Sequence, residues 1–149
     1  MNRRDFLLTG TAVALFALAG PARASAPRLA TLYKDPLCGC CTDYGHYLEA
    51  NGFAVTVIAD ADAMVAKKAE FRVPAALEGC HSTVIESYIV EGHVPIAAID
   101  KLLTERPNFR GLSLPGMPMG SPGMNGEKEG PFEVVVITDE PVAPVFGSY

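Results

Sequence analysis

The chain has 149 residues, a formal net charge of −5 at pH 7 and a hydrophobic fraction of 49%. That length and that fraction exclude a wholly disordered chain and allow one domain with a buried core. An acidic surface repels phosphate backbones, so the composition argues against a nucleic-acid partner.

The N-terminal segment is predicted to be an export signal. Arg3 and Arg4 form a twin-arginine pair, an apolar run covers residues 9–19, and a small-residue cleavage pattern ends at Ala24. The apolar run is too short for a membrane-spanning helix, which needs roughly 20 residues. We therefore predict cleavage of residues 1–24, export by the twin-arginine route, and no membrane contact afterwards.

The remaining residues, 25–149, are predicted to form one domain in the periplasm or in an equivalent exported compartment. Such a compartment is oxidising, so a reduced thiol needs a reason to stay reduced there. A bound soft metal ion supplies such a reason, because thiolates are its preferred ligands.

The predicted elements alternate between strands and helices along most of the domain. Residues 53–58 are apolar and β-branched, as in a strand, and Asn51-Gly52 before them is typical of a helix end. Strands are predicted at 29–33, 53–58, 82–85, 88–90, 132–138 and 142–146, and helices at 42–51, 60–71 and 96–104. No regular element is predicted for residues 110–130, which are rich in glycine and proline.

This order predicts an α/β domain with a thioredoxin-like core of the order β-α-β-α-β-β-α. A Met-, Gly- and Pro-rich loop and an extra C-terminal strand or hairpin follow the core. Ligands of open α/β sheets bind beyond the carboxyl ends of strands, and the first predicted strand is followed directly by cysteines.

Three of the four cysteines lie in the run Cys38-Gly39-Cys40-Cys41. Cys38 and Cys41 have the C-x-x-C spacing, which places two sulfurs at the start of a helix. Unpaired N–H groups and the helix dipole favour thiolates there. A dithiol redox site needs only those two sulfurs, whereas the third, Cys40, indicates a metal ion that takes several soft ligands.

The fourth cysteine, Cys80, is followed by His81 and comes directly before the third predicted strand. In a thioredoxin-like core the loop before that strand faces the C-x-x-C turn, so Cys80 is expected beside the other sulfurs. His81 is then a nitrogen ligand or a hydrogen-bonding partner of a ligand. His93, between the fourth strand and the third helix, is a further candidate ligand.

The loop after the third helix carries Met117, Met119 and Met124 among glycines and prolines. Thiolates together with thioethers favour Cu(I), whereas Cys and His alone also suit zinc. The methionines are therefore candidate copper ligands in a lid or entry site, and the alternative is that they only fill gaps. Four thiolates have enough donors to bridge more than one Cu(I).

Five separated motifs run through the predicted domain: YKDPLCGCC at 33–41, LEANGFAV at 48–55, CHSTV at 80–84, VEGHVP at 90–95 and LPGMPMGSPGM at 114–124. Together they resemble the predicted metal-binding family that includes the CopG-type periplasmic copper-resistance proteins. The resemblance covers nearly all of residues 25–149 and implies a thioredoxin-like fold and copper handling outside the cytoplasm. By motif match it points to the four cysteines, and then to His81, His93 and the methionines, as ligands.

The resulting interpretation is an exported copper-binding protein for copper tolerance or handling, and whether it also turns over as an enzyme stays open at this point. Its expected partners are copper ions and other periplasmic copper-handling proteins. Because thiolates reduce Cu(II) and become disulfides, Cu(I) binding is expected to be coupled to thiol redox.

Three other interpretations remain. A thiol–disulfide oxidoreductase would use Cys38 and Cys41, but Leu37 stands where such enzymes usually carry tryptophan. A structural zinc domain is disfavoured by the methionines and by the lack of a second C-x-x-C pair. Two structural disulfides are disfavoured because the adjacent Cys40 and Cys41 pair poorly with each other.

Overall fold

The computed structural model describes residues 26–149, so the predicted signal over residues 1–24 lies outside the described residues. The described part is a mixed α/β structure with three α-helices and one seven-stranded sheet. The strands are β1 (Arg28–Lys34), β2 (Phe53–Ala59), β3 (His81–Ile85), β4 (Tyr88–Glu91), β5 (Gly111–Ser113), β6 (Glu133–Val136) and β7 (Val145–Ser148). The helices are α1 (Gly39–Ala50), α2 (Ala61–Glu70) and α3 (Ile96–Glu105), and a short 3₁₀ turn covers Ala75–Leu77.

The strands lie in the order β2-β1-β3-β4-β5-β6-β7 across the sheet. β1 is parallel to β2 and antiparallel to β3, and β3 and β4 form an antiparallel hairpin. β4 is parallel to β5, and β5, β6 and β7 are antiparallel to their neighbours. The predicted element order from β1 to α3 is therefore confirmed, and the predicted C-terminal hairpin is β6 and β7.

Several helices and turns begin or end where the residue types at those positions predict it. The Asp60 side chain accepts a hydrogen bond from the Ala63 N–H at 2.9 Å and caps α2. Gly52 takes the left-handed backbone, with φ of 85°, that turns the chain from α1 into β2. A tight turn at Glu86 and Ser87 joins β3 to β4, between the two strands predicted at 82–85 and 88–90.

The main core lies between the sheet and the apolar sides of α1 and α3. Its fully buried large side chains include Leu32, Tyr44, Leu48, Ile99 and Leu112. Burying side chains of this size stabilises the fold by about 1.5–3 kcal/mol each. This core fixes α1 over the carboxyl end of β1, which is where the cysteines lie.

Three predictions about the elements were wrong, and the first concerns the last strand, predicted at 142–146, which is β7 at Val145–Ser148. α1 begins at Gly39 and not at residue 42, so the cysteine run forms its first turn. Residues 110–130 do contain a regular element, the fully buried β5. A strand of three residues is too short to show a periodic pattern, and it exists because β4 and β6 pair with it on both sides. Among residues 26–149, no helix combines the length and apolarity needed to cross a membrane.

Candidate metal centre

The cysteine run lies at the junction between β1 and α1. Cys38 is the N-cap of α1, and its N–H donates to the Asp35 carbonyl at 3.1 Å. The Asp35 carboxylate accepts from the Leu37 N–H at 2.7 Å, which tightens the turn before the helix. Cys40 and Cys41 therefore occupy the first helical turn, where backbone N–H groups lack intrahelical partners and favour negative charge.

All four cysteine sulfurs lie within 4.8 Å of one another. Cys38 and Cys41 form a disulfide, and Cys40 and Cys80 are free thiols. The Cys40 sulfur is 3.5 Å from that of Cys38, and the Cys80 sulfur is 3.5 Å from that of Cys41. The prediction that Cys80 joins the other three in space is confirmed, although about forty residues separate them along the chain.

Cys80 is held in place by a buried polar network around Gly79. Glu91 is fully buried, and its carboxylate accepts hydrogen bonds from the Gly79 N–H at 3.0 Å, from the Ser82 hydroxyl and from the Lys68 ammonium. Lys68 also donates to the Gly79 carbonyl at 3.1 Å. Both backbone polar groups of the residue before Cys80 are thus fixed, which limits where the Cys80 sulfur can lie.

The glycine at position 79 is required by close packing. A Cβ there would lie 2.4 Å from the backbone nitrogen of Gly92 and 2.6 Å from its Cα. The Gly92 N–H also donates to the His81 carbonyl at 3.1 Å. Cys80 therefore lies between two residues that are anchored to the end of β4.

Two buried histidines face the Cys80 sulfur. His81 Nδ1 is 3.3 Å from it, and His93 Nε2 is 3.2 Å from it. The opposite nitrogen of His93, Nδ1, lies 2.7 Å from the Pro122 carbonyl and must donate to it, which leaves Nε2 as the lone-pair nitrogen. His81 Nε2 is buried and has no hydrogen-bond partner among residues 26–149.

Burial keeps both imidazoles neutral. It is the largest cause that lowers the pKa of His81, followed by charge at His93 and Lys68. Burial also lowers the pKa of His93, against the opposing effect of its hydrogen bond to Pro122. Neutral imidazole is the form that binds metal ions.

Burial acts in the other direction on the free thiol. The pKa of Cys80 is raised to about 12, first by burial and then by the neighbouring Cys40 sulfur, while the Lys68 ammonium opposes the rise. Cys80 is therefore a protonated thiol at neutral pH in the metal-free protein. A metal ion that binds there must displace this proton.

Two comparisons with known proteins found similar chains, one among solved structures and one among family models. Two solved structures, described as copper resistance protein CopG form 1 and form 2, are each 44% identical to this chain. Each match has a TM-score of 0.73 and covers 83% of this chain and 98% of the relative. The chain belongs to the CopG family of copper resistance proteins. Residues 77–124 also match a family described as a protein of unknown function, DUF411, and no curated protein matches the chain significantly.

The residues 77–124 that match the second family include Cys80, both histidines and all three candidate methionines. Met117 is 43% exposed, Met119 is 53% exposed, and Met124 is half-buried. The Met119 side chain packs over Gly126, so it is held within its own loop. The methionine loop, defined here as residues 115–124, reaches the cysteines and histidines by its backbone at Pro122 and Gly123.

Gly123 marks the closest approach of the methionine loop to α1. A Cβ at this position would lie 2.7 Å from the Tyr44 nitrogen and 3.0 Å from the Cys40 carbonyl. The Tyr44 ring in turn packs against His81, with ring centroids 4.6 Å apart, and against the edge of His93. The loop therefore closes one side of the centre, which consists of four cysteines and two histidines.

No motif in the sequence predicted a site role for Lys34, Lys68, Tyr44 or Glu91. A weak signal for two of them was present, because Lys34 and Glu91 are charged residues that each follow a mostly apolar stretch at the end of a strand. Lys68 carried no such signal, since lysine is ordinary on a surface helix such as α2. These side chains are close to the centre only because the sheet and the helices bring them there.

Proposed function

We propose that this protein binds copper in an exported compartment and serves copper tolerance or handling, with Cu(I) held at the four cysteines. The observation that carries the proposal is the convergence of four sulfurs within 4.8 Å, with His81 and His93 beside Cys80. Thiolate and imidazole groups together match a soft cation, and Cu(I) is the softer ion of copper, the metal named in the descriptions of the two similar solved structures.

The residues that would hold copper are Cys38, Cys40, Cys41 and Cys80, with His81 and His93 on the side of Cys80. The hydrogen bond from His93 to Pro122 orients that imidazole toward the sulfur, as an outer hydrogen bond usually does for a ligating histidine. Met117, Met119 and Met124 are assigned to copper entry rather than to the centre itself, because the first two are exposed.

Copper binding would be coupled to the state of the Cys38–Cys41 disulfide. Two thiolates that form one disulfide release two electrons, which reduce two Cu(II) to two Cu(I); any thiol that was protonated also releases its proton. Once the disulfide has formed, only Cys40 and Cys80 remain as free thiols. The disulfide form thus has half the sulfur ligands of the reduced form, so reduction by a dithiol is expected to restore high affinity.

The proposal also includes a fold for the core and a location for the protein. β1 to α3 would be a thioredoxin-like core, a reading supported by the strand order β2-β1-β3-β4 and by the position of the cysteines after β1. Residues 1–24 would direct export by the twin-arginine route. That route carries folded proteins, which suits a domain whose thiols must load metal before oxidation.

A second candidate function is thiol–disulfide exchange, which the Cys38–Cys41 disulfide at the start of α1 favours. A matched variant separates the two functions. Cys40→Ser with Cys80→Ser keeps the C-x-x-C pair but removes the other two sulfurs. An oxidoreductase would keep its activity in this variant, whereas a copper centre would lose most of its affinity.

The test is metal titration of the reduced protein without oxygen, with Cu(I) and Zn(II) competed against chelators of known affinity. We expect at least one Cu(I) per chain, preference for Cu(I) over Zn(II), and loss of that preference in the double variant. Preferential Zn(II) binding would instead support a zinc domain. Full reduction of a disulfide substrate by the double variant, with wild-type Cu(I) affinity, would replace the copper proposal with the oxidoreductase.

A further inference from the structure

Cys80 belongs to two groups of metal-ligating atoms. The first group consists of the four cysteine sulfurs, and the second consists of the Cys80 sulfur with one nitrogen each of His81 and His93. Within each group all ligand atoms lie within 4.8 Å of one another. The disulfide between Cys38 and Cys41 takes two sulfurs out of the first group. It takes no atom from the second group, which therefore stays complete in the oxidised protein.

The second group has the spacing of a metal site. The Cys80 sulfur lies 3.3 Å from His81 Nδ1 and 3.2 Å from His93 Nε2. A metal ion with bonds of about 2.0–2.3 Å to nitrogen and sulfur holds its ligand atoms roughly 3–4 Å apart. Small side-chain shifts therefore suffice to place one ion among these three atoms.

The surroundings of the two imidazoles differ. His93 donates from Nδ1 to the Pro122 carbonyl at 2.7 Å, so its Nε2 presents a lone pair to the sulfur. The Tyr44 ring packs against both imidazoles and limits their rotation. His81 Nε2 has no hydrogen-bond partner among residues 26–149, whereas a ligating histidine usually donates from its second nitrogen. His93 is therefore expected to be the stronger nitrogen ligand.

Charge selects the ion for this second group. An imidazole ligates in its neutral form, so Cys80 supplies the only negative charge among the three ligands. The nearby Lys68 ammonium and Glu91 carboxylate form an ion pair and cancel each other. When Cu(I) binds, the S–H bond of Cys80 breaks, the proton leaves to solvent, and one Cu(I) with one thiolate has no net charge. A divalent ion on the same ligands would leave a net positive charge beside two fully buried imidazoles, which is unfavourable.

We propose that the oxidised protein retains a mononuclear Cu(I) site formed by the Cys80 sulfur, His81 Nδ1 and His93 Nε2. The inference rests on the proposed function and adds its regulation: the Cys38–Cys41 disulfide lowers the number of copper ions that bind but does not empty the centre. The site requires no electron transfer, because Cu(I) only replaces the thiol proton.

The test compares the protein in two redox states, each titrated with Cu(I) by chelator competition without oxygen. Thiols are counted before and after titration, and the oxidised protein should keep only Cys40 and Cys80 as free thiols. We expect the oxidised wild type to bind one Cu(I) and the reduced wild type to bind more. X-ray absorption of the oxidised, loaded protein should show one sulfur and two nitrogen neighbours for the copper ion.

Three variants of the oxidised protein identify the ligands, and metal-free thermal unfolding shows that each one folds. His93→Gln keeps an amide that can donate to the Pro122 carbonyl but has no imidazole, so Cu(I) affinity should fall by at least about tenfold. Cys80→Ser removes the sulfur ligand, and affinity should fall on the order of 100-fold. Cys40→Ser is the matched control, since it removes the other free thiol and should keep affinity within about threefold of wild type.

Absence of Cu(I) binding by the oxidised wild type, while the reduced protein binds it, would overturn the inference and leave the proposed function intact. So would wild-type affinity in oxidised His93→Gln, equal losses in Cys40→Ser and Cys80→Ser, or tighter binding of Zn(II) than of Cu(I) by the oxidised protein. If His93→Gln does not fold, X-ray absorption of the wild type decides, and two sulfur neighbours would contradict the site. Failure of the reduced wild type to bind Cu(I) would instead refute the proposed function.

Discussion

The candidate metal centre and the methionine loop differ in the surroundings of their sulfur atoms. In the centre, side chains from three chain segments, residues 38–41, 80–81 and 93, converge, and hydrogen bonds hold the Gly79 backbone before Cys80 and the ring of His93. In the loop, the backbone makes the contacts with the centre, while the Met117 and Met119 side chains are about half-exposed. The comparison shows that sulfur content alone does not identify a binding site, because the scaffold around each sulfur determines whether it is preorganised.

The largest expected effect comes from breaking the network that supports the centre. Glu91→Gln removes the charge that pairs with Lys68 in the interior, and loss of one partner of a buried pair lowers the free energy of unfolding by about 3–5 kcal/mol. Denaturant unfolding measures this change. Cys80 should also become less precisely placed, so Cu(I) affinity should fall.

Glu86→Gln is the matched control for that experiment. It neutralises the acid of the exposed Glu86–Arg106 pair, which should change the free energy of unfolding by no more than about 1 kcal/mol. Equal effects of the two substitutions would show that the buried network does not support the centre.

The next largest effect is expected from removing one sulfur of the centre. Cys80→Ser keeps the shape of the side chain but replaces the thiolate with a poor ligand for Cu(I), and affinity should fall on the order of 100-fold, equivalent to about 2.7 kcal/mol. Chelator competition under reducing conditions measures it. The Cys38–Cys41 disulfide should still form in this variant, and unchanged Cu(I) affinity would exclude Cys80 from the centre.

A smaller effect is expected where the methionine loop meets the centre. Gly123→Ala would place a methyl group 2.7 Å from the Tyr44 nitrogen, so the loop must move away from α1. Its Pro122 carbonyl would then no longer orient His93, and Cu(I) affinity should fall by about tenfold.

Gly116→Ala is the control substitution in the same loop. It separates the effect of backbone strain from the effect of the steric clash with Tyr44. Gly116 and Gly123 have nearly the same φ, 79° and 80°, but a Cβ at position 116 meets nothing within 4 Å. Both variants carry the left-handed strain of about 1–2 kcal/mol. Equal losses of Cu(I) affinity would mean that the loop contact does not orient His93.

The smallest effect on affinity is expected from the methionines. Replacement of Met117, Met119 and Met124 by Leu keeps volume and apolarity, so stability should change by less than about 1.5 kcal/mol. Cu(I) affinity should fall by only about threefold, because exposed thioethers are weak, neutral ligands, whereas the rate of Cu(I) transfer from a donor chelator should fall more. Zn(II) binding should not change.

Two other results for the triple methionine variant would contradict a role in copper entry. Loss of metal-free thermal stability at unchanged Cu(I) affinity and transfer rate would make the methionines packing residues. Loss of affinity as large as that of Cys80→Ser would place them in the centre and remove the distinction between the two regions.

Much of the fold follows from patterns that short stretches of sequence carry. The alternation of strands and helices from β1 to α3, the Asp60 cap and the turn at Glu86 were predictable because near neighbours along the chain fix them. The start of α1 was placed three residues late, since cysteines and glycine carry little helix signal of their own. β5 was missed because three residues cannot show a period, and its neighbours in the sheet supply the reason for its existence.

The sequence by itself determined the chemistry of the candidate centre: four thiols with a C-x-x-C spacing, one of them followed directly by His81, and a second histidine, His93. Only the tertiary structure decided which other side chains lie beside these cysteines and histidines. Lys68 looks like an ordinary surface charge in the sequence, and Lys34 and Glu91 carry only a weak signal, yet the fold buries all three near Cys80 or His81. The energy of a buried charge depends on partners that lie far away along the chain, so no local pattern can reveal whether a lysine is solvated or ion-paired.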